Sequence, residues 1–446
     1  MNLTDVALDI AAISVLLLIS FWLREKISFF RKYFIPVSLI AGILGLILGP
    51  QILGNVSPVY IHYSKSIPQW TNFLFCFIFS TSFLGSSSSK FGRDILSTTC
   101  VAGAIFMAQV LGGLGIAYGL SQVMSNMPYE IGLLPVAGFY GGHGSAGIIG
   151  ASFAQEGMNE AIGIAMTYAT VGMFAAVIGG MLLINYGAKK GYTKHEMKDE
   201  DLDKLTGSAL VPAQERKAMA NGVSDPSALD PLAFQVMIVG AVIAISYITR
   251  VAMIKIFPFW TKIPLYTRCL LMGALVGQFL TKTKYNQYID RASMKRIAGV
   301  TLEYMIVAAV ATIKISVLAT YFVPMVISSV LLCLLTAWMA IYYSKQWYGE
   351  HWFEVAMGLY GQCTGSLATG LLLVKVLDPN SETLASESIS GSSTLGSIYQ
   401  LPTTTMGPMF LLASPLLFVG SYVGLLLLFI VLGMIFFRNK STASVA

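Results

Sequence analysis

From Asp94 to Ala188 the chain carries neither lysine nor arginine. A segment of that length facing water needs cations to stay solvated, so its surroundings must be apolar for most of its course. The rest of the composition agrees: 55% of the 446 residues are hydrophobic and only 11% are charged, against about 25% charged in an ordinary soluble domain. Together these exclude a secreted scaffold, a disordered protein and a nucleic-acid binder. The net charge of +6 comes from 28 basic and 22 acidic residues, too few to coat a surface. The chain reads as a polytopic, all-α membrane protein.

A helix needs about 20 apolar residues to cross the hydrocarbon core. Runs of that kind lie at 6–23, 34–50, 69–85, 96–122, 160–186, 231–254, 263–281, 297–316, 318–343 and 411–437. A weakly apolar stretch at 384–408 reads as a polar spanning helix, which gives ten or eleven spans. Barrel strands of about 10 residues would alternate in polarity, and these runs do not. The start MNLTDVALD has acids and no Lys or Arg, the opposite of the positive region that opens a signal peptide. The five cysteines form no CxxC pair and read as free thiols, with no metal site and no cofactor expected.

Lys and Arg gather in cytoplasmic loops. Arg24, Lys26, Arg31 and Lys32 follow the first span, and assigning them to the cytoplasm puts the N-terminus outside. The same side then receives Lys90, Arg93, the bases of the central loop, Lys282, Lys284, Arg291, Lys295, Arg296 and Lys345. Arg438 and Lys440 join them if there are eleven spans. The other side keeps Lys65, Lys255, Lys262 and Lys314. Arg250 and Arg268, near span ends, read as interface anchors.

The polar stretch 187–230 divides the chain into an N-terminal membrane half, 1–186, and a C-terminal half, 231–446, with a short amphipathic helix expected near Val211–Ala220. Each half follows one plan: four spans, a Gly-rich segment, a closing helix. The Gly-rich segments resemble each other. Gly138-Phe139-Tyr140-Gly141-Gly142-His143-Gly144-Ser145 recurs, 220 positions on, as Gly358-Leu359-Tyr360-Gly361-Gln362-Cys363-Thr364-Gly365-Ser366. The span count predicts that the first opens outside and the second to the cytoplasm. That makes two inverted-topology repeats, each with a re-entrant loop, 130–153 and 355–377. Secondary transporters use such repeats for alternating access and bind substrate where the interrupted segments meet.

Interrupted backbone survives at membrane depth only when packed in protein or lining a wet cavity. Glycine allows positive φ and close backbone approach. The freed carbonyls suit a cation, and helix N-termini suit a carboxylate. Gly42, Gly45 and Gly49, at helical spacing in a plain span, read instead as packing contacts. The candidate substrate-binding residues are Gly141, Gly142, His143, Gly144, Ser145, Gly361, Gln362, Cys363, Thr364, Gly365 and Ser366. Oxygen ligands for sodium are Ser145, Thr167, Thr170, Thr364, Ser366 and Thr369, with Glu303 a further candidate as an intramembrane acid. Glu303 reads equally as a buried, proton-carrying acid. His143 either donates to a carboxylate or ties down the loop backbone. Lys375 either neutralises an acidic substrate or snorkels to the interface.

The Gly-Gly-His-Gly run at Gly141–Gly144, the stretch AMTYATVG at Ala165–Gly172, the pair Gly179-Gly180 and the Cys-containing, Gly-rich Gly361–Gly365 together resemble the bacterial sodium–glutamate symporter family. Layout and size agree through most of the chain. Beyond Asp378 the likeness fails, since SETLASESISGSSTLGSIYQLPTTTMG is more polar than that family's closing helix and an extra apolar run follows. The resemblance implies sodium-coupled uptake of glutamate or a related carboxylate, in a bacterial cytoplasmic membrane, by a homodimer. Its alternative is the 2-hydroxycarboxylate symporter type, moving malate- or citrate-like substrates, which arginine at the site would favour. No HExxH and no pair of Asp on facing spans supports an enzyme.

Overall fold

The computed structural model describes residues 3–32, 35–64, 67–85, 92–124, 127–193, 222–256, 265–349, 351–378 and 382–437. Helices account for nearly all of it, and no strand occurs among the described residues. The physical cause is the apolar run itself: without water, a backbone must satisfy its own N–H and C=O groups, which a helix does within one segment. In chain order the longer helices are α1 (Leu3–Lys26), α2 (Val37–Leu48), α3 (Ile67–Thr81), α4 (Arg93–Ser121), α5 (Leu134–Gln155), α6 (Ala161–Lys189), α7 (Pro231–Ile254), α8 (Leu265–Thr281), α9 (Arg291–Ala311), α10 (Ile315–Trp347), α11 (Trp352–Thr364), α12 (Leu367–Leu377), α13 (Ala385–Ala413) and α14 (Pro415–Phe436).

Among the described residues seven helical segments are long and apolar enough to cross a membrane: α1, α2 together with its continuation to Asn55, α4, α6, α7, α10 and α14. The expected runs at 69–85 and 263–281 form the shorter α3, of 15 residues, and α8, of 17. The run at 297–316 falls in α9, whose first two turns hold Arg291, Lys295 and Arg296. The stretch 384–408 is a single helix, α13, which ends at Ser414 before α14 begins. The amphipathic helix expected near Val211–Ala220 lies outside the described residues.

The chain folds into two compact units, and neither coincides with a half of the sequence. One takes residues 1–27, 36–89 and 208–312; the other takes 28–35, 90–207 and 313–446. Each therefore draws helices from both sides of the central polar stretch.

The first unit holds α1–α3 and α7–α9. Its core joins Ile13, Leu16, Ala41, Ile67, Trp70, Val307 and Ala308. Gly42 permits the closest approach: a Cβ there would lie 2.5 Å from Val310 Cβ on α9, so the packing reading of that glycine holds. Arg291 caps the end of α3, donating to Thr81 O at 2.9 Å, Leu84 O at 2.8 Å and Ser82 O at 3.0 Å. These are the carbonyls a helix end leaves without partners. Glu303 is exposed on α9 of this unit.

The second unit holds α4–α6 and α10–α14. Helices α4 and α10 run antiparallel, because Tyr348 donates to Asp94 O at 2.8 Å while Gln109 donates to Thr336 Oγ1 at 2.7 Å further along. Phe429 of α14 lies against Gly103 of α4, and Leu416 and Leu417 of α14 are 89% and 75% exposed.

Candidate substrate site at two hairpin tips

Helix α5 is interrupted at Gly142, which sits at φ 60° and ψ −155°. That conformation is closed to a residue bearing Cβ unless strain is accepted. The chain reverses direction there, and α13 serves as the ruler. Ser152 donates to Thr405 O at 3.1 Å, and a Cβ on Gly407 would lie 3.4 Å from Leu133 Cδ2. A straight helix would separate residues 133 and 152 by roughly 28 Å, yet both touch the same turn of α13. The segment is a helical hairpin with Gly142 at its tip.

Helices α11 and α12 form a second hairpin. A Cβ on Gly361 would meet Gly370 Cα at 2.8 Å, and one on Gly358 would meet Val374 Cγ2 at 2.7 Å, so the two arms run antiparallel at near-backbone contact. The turn lies at Gly365 and Ser366. Ser366 opens α12 with a capping box: its hydroxyl accepts from Thr369 N, and Thr369 Oγ1 accepts from Ser366 N at 2.8 Å. Thr369 Oγ1 also donates to Gly361 O at 2.8 Å, tying the start of one arm to the end of the other.

The two tips meet. A Cβ on Gly142 would lie 3.2 Å from Gly365 O and 3.6 Å from Ser366 Cβ. Four helix ends thus converge: the arms 143–155 and α12 begin here, and the arms 134–141 and α11 end here. The starts present unpaired N–H groups and the ends unpaired C=O groups. Helix α6 runs beside both hairpins. Gly138 and Gly150 approach its backbone at Ala169 and Ile162, while its own Gly172 lies where a Cβ would meet Thr364 O at 2.3 Å. The glycines of the AMTYATVG run and of Gly179-Gly180 are therefore sites of close approach by the second hairpin, whose Tyr360 donates to Ala175 O at 3.1 Å.

Most of the residues picked from the sequence gather here. His143 is buried, and its Nε2 lies 3.2 Å from Thr170 Oγ1; Thr170 also donates to Met166 O at 3.0 Å. Gly141 packs against Ser145, which accepts from Gln400 Nε2 at 2.7 Å. Gly144 follows His143 at the start of the arm 143–155. Gln362, Cys363 and Thr364 are buried in the last turn of α11, and Thr364 donates to Tyr360 O at 2.5 Å. Thr167 donates to Gly163 O at 2.8 Å, one turn below Thr170. Glu303 belongs to the other compact unit. Lys375 is exposed in the last turn of α12.

Four polar side chains at the site were not picked out by the sequence. Tyr140 and Tyr399 share a hydrogen bond of 2.6 Å beside the first tip, and Gln400 holds Ser145. Gln109 is fully buried on α4 and donates to Cys363 O at 2.7 Å as well as to Thr336. A signal for each was present: Gln109 interrupts an apolar run, and Tyr399-Gln400 lie in the polar stretch that departs from the family pattern.

The site offers hydroxyls and backbone carbonyls suited to a hard cation, with helix N-termini beside them suited to a carboxylate. Of the lysines and arginines of this unit whose side chains are described, Arg93, Lys189, Lys190, Lys314, Lys345 and Lys375 are exposed and Arg31 is half-buried. The polar contacts described at the tips come from backbone, hydroxyl, amide and imidazole groups.

Comparison with known proteins adds one finding. The family model described as sodium/glutamate symporter matches residues 3–365. The matched region runs from the first helix to the second tip and stops before α12, α13 and α14. No curated relative matches the chain.

Proposed function

Because the chain belongs to the sodium/glutamate symporter family, we propose that it couples the inward movement of sodium to uptake of glutamate or a closely related carboxylate at the meeting point of its two hairpin tips. The observation that carries this reading is the contact of Gly142 with Gly365 and Ser366. It brings two helix starts and two helix ends to one place from separate parts of the sequence. The substrate carboxylate is met by the N–H groups that open 143–155 and α12. Sodium is held among the carbonyls that close α11 and the hydroxyls of Ser366, Thr369 and Thr170. His143, restrained by Thr170, positions the first tip.

In this account the hairpins are re-entrant and enter from opposite membrane faces, as inverted repeats would. The antiparallel pairing of α4 with α10, the corresponding helices of the two halves, supports that arrangement. Alternating access then exposes the tips to one face at a time. One sodium ion carried with a singly negative carboxylate moves no net charge, so that step is driven by the sodium concentration gradient; each further sodium adds about 2.3 kcal/mol per 100 mV of membrane potential. The multi-pass protein is placed in a bacterial cytoplasmic membrane with its N-terminus outside, following the distribution of Lys and Arg.

Arginine at the site would favour the 2-hydroxycarboxylate alternative, and the hydrogen bonds described at the tips come from hydroxyl, amide and backbone groups. Helix α13, outside the family match, contributes Tyr399 and Gln400, and these set which carboxylate is preferred. The test is uptake of radiolabelled glutamate into proteoliposomes under an inward sodium gradient, compared with an equal potassium gradient. Uptake that requires sodium and is competed by unlabelled glutamate is expected. Equal uptake under both gradients contradicts sodium coupling, and no uptake of glutamate while malate or citrate accumulates contradicts the substrate.

A further inference from the structure

We propose that Arg250 and Arg268 bind the phosphate of a lipid headgroup at the end of the α7–α8 helix pair, a site separate from the transport tips. Arg268 is only 4% exposed, and its Nε and Nη1 have no hydrogen-bond partner; Arg250 Nε is likewise buried and without one. The two side chains lie within electrostatic reach of each other. Cys269, next to Arg268, is hydrogen-bonded by Ser246, and Arg250 lies one turn beyond Ser246 on α7. The two guanidiniums repel, and the other groups acting on Arg268 are the thiols of Cys76 and Cys269, with no carboxylate among them.

A buried guanidinium with idle donors beside a second, half-buried one is costly unless an anion joins them. The ligand must therefore supply negative charge and several acceptor oxygens, and a guanidinium fork matches phosphate geometry. The surroundings select a phosphate attached to acyl chains. Tyr247, Ile248 and Val251 of α7 are 55–65% exposed, and Leu275 of α8 is 58% exposed, so an apolar belt flanks the charged pair. Arg250 stands four residues before the end of α7 and Arg268 three after the start of α8, the position along a spanning helix where headgroups lie. The sequence alone suggested two independent interface anchors; the burial of Arg268 makes them one anion site.

The test uses the full-length protein, purified in detergent and stripped of lipid, with native mass spectrometry as the readout. The probes are phosphatidylglycerol, an uncharged glycosyl diacylglycerol with the same chains, and inorganic phosphate. One phosphatidylglycerol per chain is expected to survive activation that removes the glycolipid. Arg250→Gln should lower the retained fraction roughly tenfold, as loss of a charge-assisted bond does, while Arg268→Lys, which keeps the charge, should retain it in part. Circular dichroism guards against misfolding, and Arg250, being half-buried, keeps the test valid if Arg268 variants fail to fold. Equal retention by wild type and Arg250→Gln overturns the proposal. Inorganic phosphate competing fully at millimolar concentration assigns the site to a free anion and overturns the lipid. A dimer lost in Arg250→Gln without any change in lipid retention assigns the pair to a second copy of the chain, and also overturns it.

Discussion

Gly142 concentrates the argument at the scale of single residues. Its φ of 60° with ψ of −155° is an essentially glycine-only conformation that costs an ordinary L-residue roughly 1–3 kcal/mol, and the neighbouring tip leaves a Cβ only 3.2 Å from Gly365 O. Gly142→Ala should lower the transport rate at least tenfold, and Gly142→Val should abolish it, with membrane insertion unchanged on a protease-accessibility assay. Wild-type transport in the valine variant would remove the tip from the mechanism. Gln400 carries a different expectation. Its amide fixes Ser145 at 2.7 Å without belonging to either hairpin, and losing one hydrogen bond costs about 1 kcal/mol. Gln400→Ala should therefore raise the KM for substrate several-fold and leave the maximal rate within a factor of about two. Much of this was legible beforehand: a glycine cluster carrying polar residues and recurring 220 positions apart announces an irregular, functional backbone. The roles of Gln109 and Gln400 were not, because one polar residue in an apolar helix has the same sequence signature whether it serves a site or merely bonds its own carbonyls, and one glutamine in a run of polar residues does not stand out from its neighbours.

Elements behave as their patterns require, with one class of exception. The long apolar runs became helices near the expected bounds, since burying backbone in lipid leaves little choice. The apolar runs at 69–85 and 263–281 form the shorter helices α3 and α8, of 15 and 17 residues, because an apolar run fixes that a segment leaves water but not how many of its residues stay helical. The hairpins needed an observation that no sequence contains, namely which residues of α13 each arm touches. Where the second hairpin leaves for α13, Asp378 organises the connection, accepting from Glu382 N and Thr383 N at 2.8 Å and from the Thr383 hydroxyl at 2.7 Å. Burial alone would raise its pKa, but these donors, aided by His351, hold it below the usual carboxylate value. A carboxylate whose folded pKa is depressed stabilises the fold above its unfolded pKa of about 3.9 and loses that contribution as pH falls through the folded value. Asp378→Asn should thus lower the thermal midpoint near neutral pH, and the gap from wild type should close as the pH is taken below about 3.9. A gap that is constant with pH would show that the carboxylate's charge has no part in it.

Viewed as a whole molecule, the protein is organised by units that cut across its sequence halves. The halves are visible as a linker and a repeated motif, but a repeat in sequence does not say which copies pack together. The grouping of α1–α3 with α7–α9, and of α4–α6 with α10–α14, follows from contacts hundreds of residues apart, such as Gly42 with Val310 and Gln109 with Thr336. The family match ends at Gly365, inside the second tip, so the site combines the matched region with a helix, α13, that lies outside it. The central claim is that both tips line one substrate site reached in turn from the two membrane faces. It is tested most directly by placing single cysteines at Ser145 and Ser366 in an otherwise cysteine-free protein and measuring alkylation from each side of oriented vesicles. Each cysteine should react from one face, the two faces being opposite, and glutamate with sodium should slow both reactions while potassium in place of sodium does not. Labelling of both from the same face, or rates indifferent to substrate and sodium, would contradict the account.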